Sequence, residues 1–275
     1  MYTIIALGNV GCDLAELFET NPEYKVKLLD TDIEGDNCFS LEKHQTSEDY
    51  EKNVPNLTDF FKDVGESVIF IVDGSSKIAG ATLQILKQLK DKEINILYLR
   101  TDTQLLNNTG RLQDRVAFNV LQEYARSGVF KTATLVSIPE IENILGDMPI
   151  VEYSKNINRV IYNAVTGIKK FESEEAIIDN SSQPNEISRI MTYGVYNHET
   201  DIEKLFYQLD FIDDKCYYFG INESDLKTNN KLFRLIKERM REKVLDNTKI
   251  SYRIHHTGYE QSYCYVAAWS RKVQE

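Results

Sequence analysis

The stretch that most constrains the fold is residues 68–89, where the apolar run VIFIV precedes a polar segment and then apolar residues at helical spacing. A short, β-branched run of this kind predicts a buried strand. Residues 73–80, DGSSKIAG, predict a tight loop before a helix. Because free N–H groups at the start of a helix favour an anion, this loop is a candidate phosphate site, with Lys77 as its charge partner. An ordinary strand–helix turn explains the same residues, and the stretch alone leaves both alternatives open.

The composition is that of a soluble globular protein, with 275 residues of which 42% are apolar and 27% charged. No run of about 18 apolar residues occurs, so we expect no membrane span, and the first residues lack the basic leader of an export signal. Four scattered cysteines without a CxxC pair indicate free thiols and a cytoplasmic location. The net charge of −11 argues against direct nucleic-acid binding. Basic residues cluster in 231–243, but acidic residues are interleaved there, which predicts a solvated helix face.

Strand and helix patterns alternate through the first half of the chain. The predicted strands are residues 3–7, 25–29, 68–72, 94–99 and 132–138, and the predicted helices are residues 14–19, 56–64, 81–89 and 112–126. Residues 34–55 are polar and predict a loop with room for a short strand. Such alternation predicts a mainly parallel sheet covered on both faces, with ligands at the carboxyl ends of its strands.

The second half begins with a long helix, predicted from about residue 150 to 171 because apolar residues recur at helical spacing on more than one face. An acidic, Pro-containing linker follows at 172–186. Beyond it the pattern predicts strands at 215–220, 249–254 and 263–269 and an amphipathic helix at 229–244. We expect the last two strands to pair antiparallel, which gives an α+β domain.

Short motifs stand at matching places along this plan. They are Gly8-Asn9-Val10-Gly11-Cys12-Asp13 after the first strand, Asp30-Thr31-Asp32 after the second, Gly74-Ser75-Ser76-Lys77-Ile78-Ala79-Gly80 after the buried strand, Gly110-Arg111 before a helix, Asn158 nine residues before Gly167, and Met191-Thr192-Tyr193-Gly194. Their order resembles that of the tubulin/FtsZ family along nearly the whole chain. In that family the corresponding motifs read roughly GQxGNQ, NTD, GGGTG[ST]G, GR, an Asn or Asp that bonds guanine, and MGTG.

The resemblance implies an α/β, tubulin/FtsZ-like fold in three parts. These are a Rossmann-like, parallel-sheet nucleotide-binding domain at 1–149, a long central helix at 150–171 and a smaller α+β C-terminal domain at 172–275. It implies GTP or GDP as cofactor, with magnesium as a candidate accompanying ion. The nucleotide-binding residues that it implies are Gly8, Asn9, Gly11, Cys12, Asp30, Gly74, Ser75, Ser76, Lys77, Gly80, Arg111 and Asn158.

Two departures from the family pattern weaken the expected chemistry. The middle glycines of the third motif are replaced by Ser75, Ser76 and Ile78, whose Cβ atoms hinder close approach of a phosphate. In the family, an NxDxxD loop of one subunit reaches the nucleotide of the next, and Glu186 is the one carboxylate retained at the aligned positions Ser181, Gln183 and Glu186. We therefore assign no catalytic residue and no metal ligand, and expect weak nucleotide binding with little hydrolysis.

Two functions of different classes stay open. The first is a divergent tubulin/FtsZ-like cytoskeletal protein that binds guanine nucleotide and self-associates head to tail into filaments. The alternative is a nucleotide-free structural or interaction module of the same fold, which binds or antagonises a related filament protein. A third reading, an active switch-like GTPase, requires hydrolysis that rises with protein concentration. The chain has neither a Walker A motif nor a GxSxG nucleophile elbow that would suggest other chemistry.

Overall fold

The structure, a computed structural model, describes residues 1–244 and 247–275. The chain forms two compact units, one of Met1–Tyr162 with Val273–Glu275 and the other of Asn163–Lys272. The expected three-part division at residues 149 and 171 stays a prediction.

The first unit contains a sheet of six strands. They are β1 (Tyr2–Leu7), β2 (Tyr24–Asp30), β3 (Cys38–Ser40), β4 (Ser67–Asp73), β5 (Glu93–Arg100) and β6 (Thr132–Ser137). Every neighbouring pair is parallel, in the order β3-β2-β1-β4-β5-β6. This confirms the predicted parallel sheet. In this order the chain changes direction across the sheet between β1 and β4, and ligands of doubly wound sheets bind at that point.

The helices of the first unit connect these strands. They are α1 (Asn9–Ala15), α2 (Ser47–Lys52), α3 (Thr82–Lys87), α4 (Asn108–Arg126) and α5 (Ile138–Leu145), with α6 (Tyr153–Ser173) running on past Tyr162. Short 3₁₀ segments occupy Glu16–Thr20, Lys77–Ala81 and Ile150–Glu152.

Two local predictions in this unit are wrong. The polar stretch 34–55 contains the expected short strand, β3, but also the unpredicted helix α2, whose first turn is capped because Thr46 Oγ1 accepts the N–H of Asp49 at 3.2 Å. Residues 56–64 form turns and no helix, since the Asn56 side chain accepts the N–H of Thr58 at 2.9 Å and holds the chain in a turn.

The second unit is a mixed α+β assembly. Its strands are β7 (Ile178–Asp179), β8 (Ile190–Asn197), β9 (Ile202–Leu205), β10 (Asp214–Asn222), β11 (Lys249–Thr257) and β12 (Tyr263–Ser270), and its further helices are α7 (Glu223–Thr228) and α8 (Leu232–Glu242). The order is β8-β12-β10-β11-β7, with β9 on β8. The expected pairing of β11 with β12 is wrong. The connection through α7 and α8 returns β11 parallel to β10, and β12 pairs antiparallel on the other side of β10.

Helix α8 contributes one buried face to the hydrophobic core of the second unit. Leu232, Ile236 and Met240 lie one turn apart and are buried in a core with residues of β10, β11 and β12. The opposite face leaves Phe233 44% exposed among basic side chains. Among the described residues, no helix has the length and apolar character needed to cross a lipid bilayer.

Candidate functional site

The first predicted turn lies at the carboxyl end of β1. Gly8 has φ 80°, a left-handed conformation that suits glycine, and its N–H donates to the Leu29 carbonyl at 2.9 Å. The turn at Gly8 is so tight that α1 begins at the next residue, Asn9. The predicted helix start at residue 14 is therefore wrong, because residues 9–13 are already helical.

The second predicted loop leaves β4 and closes against the first. Ile78 is 7% exposed, and its Cγ2 lies 2.8 Å from the position that a Cβ on Gly8 would take. Ser76 Oγ lies 3.7 Å from the same position. The ends of β1 and β4 thus converge, and the Ile78 side chain occupies the space between them.

Three other glycines of the predicted site make room for protein atoms. A Cβ on Gly74 would overlap the Tyr98 hydroxyl, and one on Gly80 would overlap the Ser47 carbonyl at the start of α2. At Gly11 it would lie 3.1 Å from the Ile71 carbonyl of β4. These glycines allow close packing within the first unit, which is a requirement of the fold whether or not a ligand binds.

The polar groups of the second loop are largely paired within the protein. The carboxylate of Asp73 accepts the Ser75 N–H at 3.0 Å and the Ser75 hydroxyl at 2.9 Å. The Thr101 hydroxyl donates to Ser75 Oγ at 3.3 Å, and Gln113 Nε2 donates to the Ser76 carbonyl. Of this loop, the Lys77 ammonium is exposed and has no ion-pair partner within residues 1–244 and 247–275.

Acidic groups and a buried thiol lie at the end of β2. Burial raises the pKa of Asp30, and the charges of Asp13 and Asp32 raise it further, whereas the Thr31 N–H bonded at 2.7 Å lowers it. The Cys12 thiol lies 3.7 Å from the Leu29 carbonyl, and burial together with Asp30 raises its pKa to about 12. Cys12 is therefore a neutral, inward-facing thiol.

The remaining predicted residues are spread over three elements. Asn9 is exposed, and its amide lies 3.5 Å from Asp13 Oδ2. Arg111 lies within the first turns of α4, not before the helix, and its guanidinium donates to the carbonyls of Leu106 at 2.9 Å and Gln104 at 3.2 Å. Arg111 thus secures the segment before α4.

Asn158 is half-buried in α6, and its amide makes no hydrogen bond to another described residue. One turn later, Tyr162 packs edge-to-face on Phe18 with ring centroids 4.8 Å apart. The first part of α6 therefore passes the segment that follows α1.

A buried polar network that the motifs did not indicate lies behind the second loop. Tyr98 Oη donates to Asp114 Oδ1 at 2.7 Å, and Arg100 Nε donates to Asp114 Oδ2 at 3.3 Å. The Arg100 guanidinium also stacks on the Phe118 ring, 4.1 Å from its centroid. One sequence signal was present: Asp114 occupies the same helical stripe as the buried apolar residues of α4.

The positions of the second unit that align with the NxDxxD motif do not hold a pair of acids. Ser181, Gln183 and Glu186 are exposed, and Ser181 donates its N–H to Asp179 Oδ1 at 2.7 Å. Asp179 in turn pairs with Arg253 Nε at 3.0 Å. Within the described part of the chain, no three His, Cys, Asp or Glu side chains are grouped so that they could hold a metal ion.

A cleft of 490 Å³ lies elsewhere in the first unit, between α2 and α3. Its lining residues are Glu51, Lys52, Val54, Gln84, Lys87 and Gln88. None of these is a predicted site residue.

Comparison with solved structures identifies the architecture. An empty FtsZ dimer of M. jannaschii matches 98% of this chain and 88% of its own chain, with a TM-score of 0.65 and 11% sequence identity. A GTPγS-form protofilament of TubZ from Bacillus thuringiensis serovar israelensis matches 98% of this chain and 86% of its own, with a TM-score of 0.70 and 12% identity. The chain has the tubulin/FtsZ fold. GDP-form protofilaments of the same TubZ match with a TM-score of 0.68 and 11% identity over 98% of this chain and 86% of theirs.

Sequence comparisons contribute nothing to this assignment. No protein-family model matches the chain, and no curated protein matches it. At identities of 10–12% the tubulin/FtsZ fold is shared, while the residues of the site have to be judged by their own geometry.

Proposed function

We propose that this protein is a divergent tubulin/FtsZ-like cytoskeletal subunit that binds a guanine nucleotide and assembles head to tail into filaments, with weak or absent GTP hydrolysis. The observation that supports it best is the convergence of Gly8 and the loop 74–80 at the change of strand direction between β1 and β4. Ligands of parallel α/β sheets bind at such a point. The matched TubZ structures are protofilaments in GTPγS and GDP forms, which supports guanine nucleotides as the ligand class.

The Asn158 amide is the candidate for guanine recognition. It is half-buried, has no hydrogen-bond partner among the described residues and offers both a donor and an acceptor. A base edge that pairs with such an amide is distinguished from one that cannot, because the mismatched polar groups would stay unpaired. Because an amide can also pair with adenine, the expected preference for guanine rests on the GTPγS and GDP forms of the matched TubZ structures.

Weak affinity and weak hydrolysis follow from the departures at the loops. Ile78 fills space beside Gly8, and among the described residues no positive side chain pairs with the polar groups of residues 73–76. Glu186 is exposed and has no second acid beside it at the aligned positions Ser181 and Gln183. A water molecule would therefore lack the paired acids that orient it for attack.

Head-to-tail assembly is supported by opposite charges on the two units. The exposed side of residues 231–241 carries Lys231, Arg234, Lys237 and Arg241 around Phe233, and the one acid there, Glu238, pairs with Arg234 at 3.8 Å, so the face has a net positive charge. The carboxyl end of β2 and the neighbouring helix α1 present Asp30, Asp32 and Asp13, of which Asp32 also pairs with Lys43 at 3.6 Å. A contact between α8 of one copy and the strand ends of the next is heterologous and repeats indefinitely, which is how filaments form. The free cysteines, three of them buried, support a reducing, cytoplasmic setting.

A second candidate function is favoured because polar groups at the candidate site already form hydrogen bonds within the protein. Ser75, Ser76 and Arg111 already have protein partners, so the tubulin/FtsZ fold here could serve as a nucleotide-free module that binds or antagonises a related filament protein. Retention of nucleotide separates the two functions, whereas polymerisation does not, since both allow it.

The deciding experiment measures GTP, GDP and ATP binding to the purified chain, together with chromatography of any nucleotide retained through purification. We expect saturable GTP and GDP binding that exceeds ATP binding, and loss of this preference in Asn158→Ala. Asn156→Ala is the matched control, because it lies two positions away and therefore on another face of α6. Absence of saturable binding at micromolar protein would remove the nucleotide from the proposal and favour the module.

Assembly is tested separately by sedimentation and light scattering. We expect Arg234→Glu with Lys237→Glu to suppress assembly and wild-type assembly to weaken with salt. Lys90→Glu, an exposed charge reversal in the first unit, is the control. Assembly that is indifferent to both changes and to salt would contradict the proposed contact.

A further inference from the structure

Asp73 is an unusual last residue for the buried strand β4. It is 5% exposed, and its carboxylate accepts the N–H and the hydroxyl of Ser75 at 3.0 Å and 2.9 Å. Among the described residues no Lys or Arg forms an ion pair with it. The loop that would hold a phosphate thus already contains an anion of its own.

The groups around Asp73 do not neutralise it. Asp114 of α4 adds a second buried carboxylate, and the positive charge of Arg100 from β5 is directed to Asp114 at 3.3 Å. Tyr98 lies against the loop and donates its hydroxyl to Asp114. Lys77, the positively charged residue of the same loop, is exposed. Burial raises the pKa of Asp73 and the charge of Asp114 adds to this, although the Ser75 hydrogen bonds oppose it.

A phosphate entering this loop would meet two obstacles. It would need the Ser75 N–H that Asp73 now holds, and two anions would face each other in a poorly solvated place. Both obstacles disappear when Asp73 carries a proton, because the neutral acid accepts more weakly and repels nothing.

We propose that Asp73 is a specificity-determining residue, because its carboxylate competes with the nucleotide phosphate for this loop. A phosphate therefore binds to the loop together with a proton on Asp73. The inference deepens the proposed guanine-nucleotide function and rests on it. The base should be recognised independently of Asp73, since Asn158 lies on another element.

The sign of the pH effect follows from linkage. Bound phosphate raises the pKa of Asp73 further, so the complex binds a proton that the free protein lacks. The affinity for a nucleotide therefore falls as pH rises from the pKa of the free protein to that of the complex, by up to tenfold for each pH unit, and levels off above. Ionisation of the phosphate itself adds its own pH effect, which a variant without a carboxyl at position 73 isolates.

The experiment measures binding of GDP and of guanosine by calorimetry between about pH 5.5 and pH 8, with Asp73→Asn compared to wild type. We expect Asp73→Asn to bind GDP about tenfold more tightly at about pH 8, to lose the part of the pH dependence that exceeds phosphate ionisation, and to bind guanosine as wild type does. Asp102→Asn is the control, since Asp102 also accepts a backbone N–H after a neighbouring strand but lies outside the loop. Its GDP affinity should match that of wild type.

Proton uptake supplies a second readout. Calorimetry in buffers of different ionisation enthalpy should detect more proton uptake with GDP in wild type than in Asp73→Asn, and none with guanosine. Equal GDP affinities in wild type and Asp73→Asn, or equal proton uptake with GDP in the two, would overturn the role of Asp73 and leave the proposed function intact. Failure of every variant to bind both GDP and guanosine would overturn the proposed function and this inference together.

Discussion

The Tyr98 hydroxyl and the Asp114 carboxylate form a 2.7 Å hydrogen bond in a part of the first unit where each residue is 1% exposed. Tyr98→Phe removes the donor and leaves the carboxylate with Arg100 alone. We expect a loss of about 1–3 kcal/mol in the free energy of unfolding, because a buried acceptor stays unpaired. Urea denaturation measures it. Tyr124→Phe, a partly exposed tyrosine of the same helix as Asp114, should change stability little, and equal effects of the two variants would contradict the importance of this bond.

The contact between Gly8 and Ile78 can be tested by a double-mutant cycle. Gly8→Ala introduces a methyl group 2.8 Å from Ile78 Cγ2 and also strains a left-handed backbone, so it should be destabilising. Ile78→Ala should also destabilise, because it leaves a cavity.

In the double variant the new methyl group occupies the vacated space, so the combined loss should fall short of the sum by about 1 kcal/mol. The residual loss reports the backbone strain, which Ile78→Ala cannot relieve. Strict additivity in urea denaturation would mean that the two loops do not meet as described.

Because of His255, we expect the stability of the second unit to depend on pH. It is 2% exposed and stacks on Phe171 at 4.5 Å; burial and the charge of Arg253 lower its pKa to about 4, although Asp179 opposes them. Because this pKa lies below the ordinary value near 6.5, the unfolded chain takes up the proton first. This contribution to stability is complete above about pH 6.5 and is lost as pH falls towards 4.

His255→Phe keeps the ring stack without the titrating group. We expect its Tm to fall less than that of wild type between about pH 6.5 and pH 4.5. His256→Phe removes an exposed neighbour and should retain the wild-type profile. If both variants follow wild type, His255 does not titrate as its burial requires.

Hydrogen bonds between Gln122 and Gln274 hold the segment 273–275 on the first unit. The buried Gln122 amide accepts the Gln274 N–H at 2.8 Å and donates to the Gln274 carbonyl at 3.2 Å. Gln122→Leu removes both of these hydrogen bonds between α4 and the segment 273–275. We expect carboxypeptidase to release these residues faster than from wild type, while Gln113→Leu, on the same helix, should leave the rate unchanged.

The elements with long apolar runs could be predicted because strands buried on both faces need apolar residues at every position. β1 and β4 followed this rule, and the parallel sheet follows from their alternation with helices. The interior of the site could not be predicted in the same way. Glycine at Gly74 signals only that space is needed, and no local pattern indicates that the Tyr98 ring from β5 fills it. The sequence places Asp73 in the loop, and its burial could not be predicted because it depends on neighbours that are distant in sequence.

The last prediction concerns GTP hydrolysis. In a tubulin/FtsZ-like arrangement, a loop of one subunit would complete the hydrolytic site of the next. Glu186 is exposed, and Ser181 and Gln183 stand where the NxDxxD motif has its Asn and its first Asp. Phosphate release per subunit should therefore stay at background as protein concentration rises. The triple change Ser181→Asn, Gln183→Asp and Glu186→Asp restores the NxDxxD pattern and should make the rate rise with concentration, since neighbouring subunits would then position water. Ser182→Asp adds one acid at a position outside the pattern and should stay at background. Concentration-dependent hydrolysis by the wild type would mean that other groups position the water and that the protein is an active GTPase.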